Sequence, residues 1–171
     1  MLREIVMRVL LVILSSALLI IAFPDFNLWL FAWVALVPLF FAIDGQRPLK
    51  AFVAAYFTGA VFFLGTMYWL MHVTLPGMIA VALYLAVYFG VFGLIIAPAI
   101  ACPSYLSLFV IPSAWTALEY SRAHALSGFG WNLLAHSQSY NLPMIQIADT
   151  VGSYGVSFLI VLINAAICPT L

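Results

Sequence analysis

Glu119 and Arg122 stand three residues apart at the end of a long apolar stretch, and residues 128–149 follow as a polar and aromatic island. On a helix, positions i and i+3 share a face, so this carboxylate and guanidinium can pair. Ionisable groups at membrane depth are candidates for function; otherwise they neutralise each other at the interface and fix where the helix ends. The island holds Trp131-Asn132, Ser137-Gln138 and Gln146, more amides than membrane anchoring requires. It is where a recognition surface would be placed. His136-Ser137 invites a hydrolase reading, but a nucleophile needs a base held by a third group and a site that stabilises an oxyanion. No nucleophile-elbow pattern surrounds Ser137, and neighbours on an extended segment point in different directions. His72, His124 and His136 are too scattered to form a metal site. Cys102 and Cys168 lie in apolar surroundings at no metal-ligand spacing and read as buried structural thiols. Neither metal nor cofactor is expected.

The elements that position these residues must be membrane helices. The 171 residues are 67% hydrophobic and 6% charged, with a mean hydropathy of +1.23. Soluble domains carry about 25% charged residues, so this chain has too little polar surface for water. The expected class is an all-α polytopic membrane protein. Net charge is zero, and no basic face is available for nucleic acid. The segment from Met1 to Ile21 resembles a signal peptide, with Arg3 and Arg8 ahead of an apolar run. It lacks a convincing small-residue cleavage site and reads as an uncleaved first span.

Charged residues and turn residues divide the chain into about six spans, near 9–23, 28–43, 51–71, 78–101, 104–120 and 151–171, the last one truncated. Pro24-Asp25-Phe26-Asn27 and Asp44-Gly45-Gln46-Arg47-Pro48 carry turn chemistry. The first two spans are short against the ~20 residues a crossing helix needs. From Ala51 to Leu118 no Asp, Glu, Lys or Arg occurs, and Pro76-Gly77 and Pro103 supply breaks. Pro98 and Pro112 fall inside spans and are expected to kink them. Asp149-Thr150 is expected to open and cap the sixth span. Tyr154 and Ser157 then lie one turn apart on it, where packing and substrate contact are equally open to them. Small residues recur every fourth position at Ala51/Ala55/Gly59, Ala82/Ala86/Gly90 and Gly93/Ala97/Ala101, which lets helix backbones approach closely. Arg3, Arg8, Arg47 and Lys50 fall on one side and only Arg122 on the other, so the N-terminus is expected inside. The loop 123–149 then lies outside, on the periplasmic side where the cell is Gram-negative.

The ordered motifs resemble the membrane region of apolipoprotein N-acyltransferase. Ala22-Phe23-Pro24-Asp25-Phe26-Asn27 with Trp33 through Leu39 is similar to that family's opening hairpin, and Gly59 through Leu70 to its third span. Pro112, Trp115, Glu119 and Arg122 match its proline–tryptophan–glutamate–arginine pattern. Gly128 through Leu134, Ser137-Gln138, Gln146 through Asp149, Gly152, Tyr154 through Ser157 and Asn164 continue it in order. The resemblance implies acyl transfer from a phospholipid donor to the N-terminal diacylglyceryl-cysteine of an apolipoprotein acceptor. It also implies a nitrilase-like domain with a Glu–Lys–Cys triad, beyond residue 171. No catalytic residue is assigned here, because Lys50 and Glu119 lie in the wrong region and Cys168 lies within a span.

The chain is therefore expected to be the membrane portion of such an enzyme, a fragment or a shortened gene product, and inert by itself. Trp131, Asn132, Ser137 and Gln138 are the expected substrate-binding residues, with Glu119 and Arg122 supporting them. The rival readings are a scaffold protein and a small transporter or channel gated by Glu119–Arg122. A transporter needs a polar path, and the third and fourth spans offer almost none.

Overall fold

A chain this apolar must satisfy its backbone groups internally, and helices do so within one segment. The computed structural model describes residues 2–101, 104–125 and 128–168. The expectations for Cys102 and Pro103, and the end of the last span at Leu171, fall outside them. The architecture is all-α: α1 (Leu2–Ala22), α2 (Val37–Ile43), α3 (Pro48–Thr66), α4 (Leu75–Ala101), α5 (Ser107–His124) and α6 (Leu142–Ile167). Three short 3-10 turns, Trp29–Trp33, Tyr68–His72 and Leu134–Gln138, join them. Among the described residues four helices, α1, α3, α4 and α6, are long and apolar enough to cross a membrane. At 1.5 Å per residue, α1 is about 31 Å long, close to the ~30 Å hydrocarbon core.

Several boundaries differ from the sequence expectation, each for a local reason. The run 28–43 is not one helix: a 3-10 turn and the seven-residue α2 replace it, with Val34–Leu36 irregular between them. Side chains from other helices satisfy that stretch. Asn164 of α6 accepts from Leu36 N at 2.8 Å and donates to Ala32 O at 2.9 Å. Ser15 of α1 donates to Ala35 O at 2.6 Å. Irregular backbone is tolerated at depth when it is buried and bonded in this way. Pro76-Gly77 does not break a helix but sits in the first turn of α4, where a missing proline N–H costs nothing.

The sixth helix opens at Leu142, with Pro143 in its first turn, so Asp149-Thr150 lies inside it rather than capping its start. The last eight residues of the expected loop 123–149, from Leu142 to Asp149, are thus helical. Gly152 (φ 69°, ψ 176°) then breaks the helix into two segments, a backbone region essentially reserved for glycine. Pro98 and Pro112 do lie inside α4 and α5.

The α3–α4 pair makes the longest interface, and the small-residue stripes interlock there. A Cβ on Gly93 would meet Ala51 O at 2.6 Å and Ala55 Cβ at 2.7 Å. A Cβ on Gly59 would meet Phe89 Cβ at 2.7 Å. Above them Phe62, Phe63, Phe89 and Phe92 pack edge to face and tilted around Trp115, whose ring centroid is 4.9 Å from both Phe89 and Phe92. Gly93→Ala is expected to cost about 1–3 kcal/mol by forcing two backbones apart. Leu83→Ala, on an exposed face of the same helix, should leave the unfolding midpoint in detergent nearly unchanged. Equal effects of the two would show that close α3–α4 approach is not what Gly93 secures.

Candidate functional site

The end of the bundle where α3 and α5 finish carries the polar island, and two buried charges hold it down. Glu119 and Arg122 are 5% and 4% exposed. They form no ion pair with each other; both bind the backbone of the loop that follows. Glu119 Oε1 accepts from Leu134 N at 2.7 Å. Arg122 donates from Nη1 to Trp131 O at 3.0 Å and from Nη2 to Asn132 O at 3.1 Å. Its guanidinium carbon lies 5.2 Å from the Phe63 ring centroid, within the ~6 Å reach of a cation–π contact. A planar fork with fixed N–H directions suits two adjacent carbonyls, as a lysine would not.

The loop closes through further side chains. Asn132 adopts φ 55°, a left-handed conformation that asparagine tolerates better than most residues. This turn directs its Nδ2 to Thr66 Oγ1 on α3 at 2.5 Å. Ala135 N donates to Ser157 Oγ of α6 at 3.0 Å. Ser137 and Gln138, each 1% exposed, sit in the 3-10 turn, not on an extended segment. Ser137 Oγ donates to Leu134 O at 2.7 Å, and Gln138 Nε2 donates to Trp29 O at 3.1 Å and to Ser137 Oγ at 3.0 Å. Gln138 Oε1 accepts from Asn141 Nδ2 at 3.0 Å. Their hydrogen bonds are internal to the loop and its tie to the Trp29–Trp33 turn.

Of the expected site residues, five therefore converge as a clamp, and Trp131 alone projects. It is 57% exposed and tilts against Trp69 and Phe129, with ring centroids 5.5 and 5.6 Å apart. Tyr68 and Met71 are exposed beside Trp69 in the same 3-10 turn. Behind the loop, a hollow of about 300 Å³ is lined by His136, Gln138, Ser139, Ile145, Ser153 and Val156. The His136 imidazole pKa is pushed below its ordinary value, first by partial burial and second by the Arg122 charge. Histidine here therefore favours the neutral ring. Trp115, Glu119 and Arg122 line a cavity of about 20 Å³.

Thr66 and the Trp29 carbonyl are members of this site that sequence reading passed over. Nothing in spacing relates position 66 to 132 or 29 to 138; only the packing of three segments does. Ser157 was open between packing and substrate contact in the sequence. The structure gives it a backbone amide to hold.

Residues 15–166 match the family model described as the apolipoprotein N-acyltransferase N-terminal domain. The chain is 36% identical over 170 residues to an apolipoprotein N-acyltransferase of Geobacter metallireducens, covering 92% of this chain and 32% of that relative. It is 28% identical to one of Bradyrhizobium diazoefficiens, covering 93% of this chain and 33% of the relative. It is also 28% identical to one of Pasteurella multocida, covering 91% and 31%. The chain spans about a third of the length of these curated relatives.

Proposed function

From the premise that this chain belongs to the apolipoprotein N-acyltransferase family, we propose that it is the membrane platform of an enzyme moving an acyl chain from a phospholipid to the α-amine of a diacylated lipoprotein cysteine. The observation that carries this reading is the clamped loop, which holds Trp131 outward at one end of an apolar bundle. An indole beside exposed Trp69, Tyr68 and Met71 is suited to the headgroup level of a bilayer, where amphipathic rings settle. The hollow behind the loop gives a lipid tail an apolar surface with a few polar groups at its rim. Trp131 is the residue we assign to substrate contact. Asn132, Ser137, Gln138, Glu119 and Arg122 are positioning residues that act through the loop.

The acyl carrier belongs to the part of the relatives that this chain does not span. The family's chemistry is two-step transfer through an enzyme thioester. A thiolate nucleophile needs an electropositive, accessible setting, and Cys168 is 2% exposed in the core. The phospholipid donor and diacylated acceptor would meet above residues 128–141. With Arg3, Arg8, Arg47 and Lys50 on the cytoplasmic side, that surface faces the periplasm of the bacterial inner membrane.

The test uses the purified chain in lipid nanodiscs, with a photoreactive group replacing Trp131 and a fluorescent diacylated lipopeptide. Cross-linking at position 131, with none from a probe at Val87 on the exposed face of α4, is the expected result, together with no triacylated product. Acyl transfer by this chain alone would overturn the assignment of chemistry to the remaining two thirds of the relatives. Equal cross-linking at both positions would overturn the platform.

A further inference from the structure

At the opposite end of α3, about 28 Å from Thr66 along a 19-residue helix, lies a second feature that the reading above does not use. A groove of about 620 Å³ runs between α1 and α3, within the ~300–1,000 Å³ range of ligand sites. Its polar groups gather at one end, where Arg8, Gln46 and Lys50 line it. The remainder is apolar, formed by residues such as Val9, Ile13, Phe57 and Val61. From Lys50 to Val61 the floor extends about 16 Å along α3.

Arg8 is half-buried, and among the described residues the acceptors of its hydrogen bonds are neutral. Its Nη1 donates to Ala42 O at 2.7 Å and to Asp44 O at 2.9 Å, both backbone carbonyls. The Gln46 amide, turned with its oxygen toward the guanidinium, accepts from Nε at 3.2 Å and Nη2 at 3.1 Å. These bonds hold the guanidinium in place through neutral groups, with no carboxylate among its hydrogen-bond partners in the described residues. Lys50 is exposed across the mouth of the groove. Around this end stand Arg3, Arg8, Arg47 and Lys50 against Glu4 and Asp44, an excess of two positive charges.

We propose that this groove is a binding site for one anionic phospholipid, its phosphate between Arg8 and Lys50 and one acyl chain laid along Ile13, Phe57 and Val61. A fixed cation and a mobile one at the head of an apolar channel complement a phosphodiester joined to a hydrocarbon tail. Basic pockets between membrane helices recognise anionic headgroups by this combination. A zwitterionic lipid adds a quaternary ammonium that the excess positive charge repels. The site lies at the far end from Trp131 and does not depend on the acyltransferase reading.

Native mass spectrometry of the full chain in detergent, titrated with dioleoyl phosphatidylglycerol or dioleoyl phosphatidylcholine, tests the site. Each basic residue near an anionic headgroup contributes about fivefold in affinity, so retention of one phosphatidylglycerol should exceed that of phosphatidylcholine by at least that factor. Lys50→Gln, which removes an exposed side chain, should lower phosphatidylglycerol retention about fivefold with the helical circular dichroism unchanged. Ile13→Trp fills the channel without altering charge and should also release the lipid. Equal retention of the two lipids would overturn the proposal, as would retention unchanged by Lys50→Gln. Phosphatidylglycerol held undiminished by Ile13→Trp would mean adsorption to surface charge, or a groove covered by another segment, and would also overturn it.

Discussion

Arg122→Met is expected to free the 128–138 loop and to destabilise the chain by about 3–5 kcal/mol, the cost of breaking a buried charge arrangement from one side. The substitution strands two carbonyl oxygens, those of Trp131 and Asn132, at a position where the arginine is 4% exposed. It also removes the cation over Phe63 and leaves the buried Glu119 carboxylate with no nearby positive charge. Methionine replaces the side chain's volume, so the effect measures hydrogen bonding and charge rather than a cavity. Arg122→Lys retains the charge but offers a point donor instead of a fork, and should fall between the two. Glu119→Gln keeps an oxygen for Leu134 N and should cost less than Arg122→Met. Two readouts separate loop positioning from general stability: thermolysin cleavage between residues 128 and 141 at temperatures where the helices persist, and the unfolding midpoint in detergent. A protected loop with an unshifted midpoint in Arg122→Met would show that the clamp does not hold the island.

Asn164→Leu carries the second large effect, about 3 kcal/mol or more, because each buried backbone group left unpaired costs about 1–3 kcal/mol. Asn164 is fully buried and makes three hydrogen bonds, to Leu36 N, Ala32 O and Ile160 O. Two of these satisfy the stretch that runs from the Trp29–Trp33 turn to α2, at a carbonyl and an amide that no α-helical partner reaches. Leucine fits the apolar surroundings and removes all three bonds. Hydrogen exchange at the Leu36 amide should accelerate well beyond that at amides inside α3. The Trp29 carbonyl that accepts from Gln138 belongs to the same stretch, so the loop at the candidate site should loosen as well. Unchanged exchange at Leu36 would mean that α1 and Ser15 alone can hold this segment.

The helical architecture was legible because composition leaves few alternatives. Runs such as Leu2–Ala22 and Leu75–Ala101 contain apolar residues on every side and read as membrane helix without reference to any partner. The small residues at Ala51, Ala55, Gly59 and Gly93 announced close packing, which the α3–α4 interface shows. The run 28–43 misled for the same reason. Hydropathy reports what a segment can be dissolved in, and it does not report whether its backbone is regular. The start of α6 carries its own signal, Asn141 at the N-cap with Pro143 in the first turn, but that asparagine makes no capping hydrogen bond and Asp149-Thr150 offers a competing cap composition.

At the site, residue types marked the island and the two charges, but their partners were decided elsewhere. Positions 119 and 122 on one helix face suggested a pair, and a pair is what three-residue spacing offers in an isolated helix. In the folded chain both side chains are turned to the backbone of residues 131–134, a choice available only once that loop has been brought back over α5. The same holds for Ser137 and Gln138, whose polarity suggested a surface and whose burial makes them internal ties. Arg8 shows the converse: a residue read only for orientation gains neutral acceptors from residues 42–46 and becomes the fixed head of a groove.

By itself, then, the sequence determined that this is a helical membrane chain, where its polar island lies, and which family its ordered motifs belong to. Each of these follows from residue type and order along one segment. Tertiary structure alone decided which polar groups face outward and which are consumed in holding the fold. In an apolar interior every backbone donor and acceptor must find a partner, and the distance between partners in space has no fixed relation to their distance in the chain.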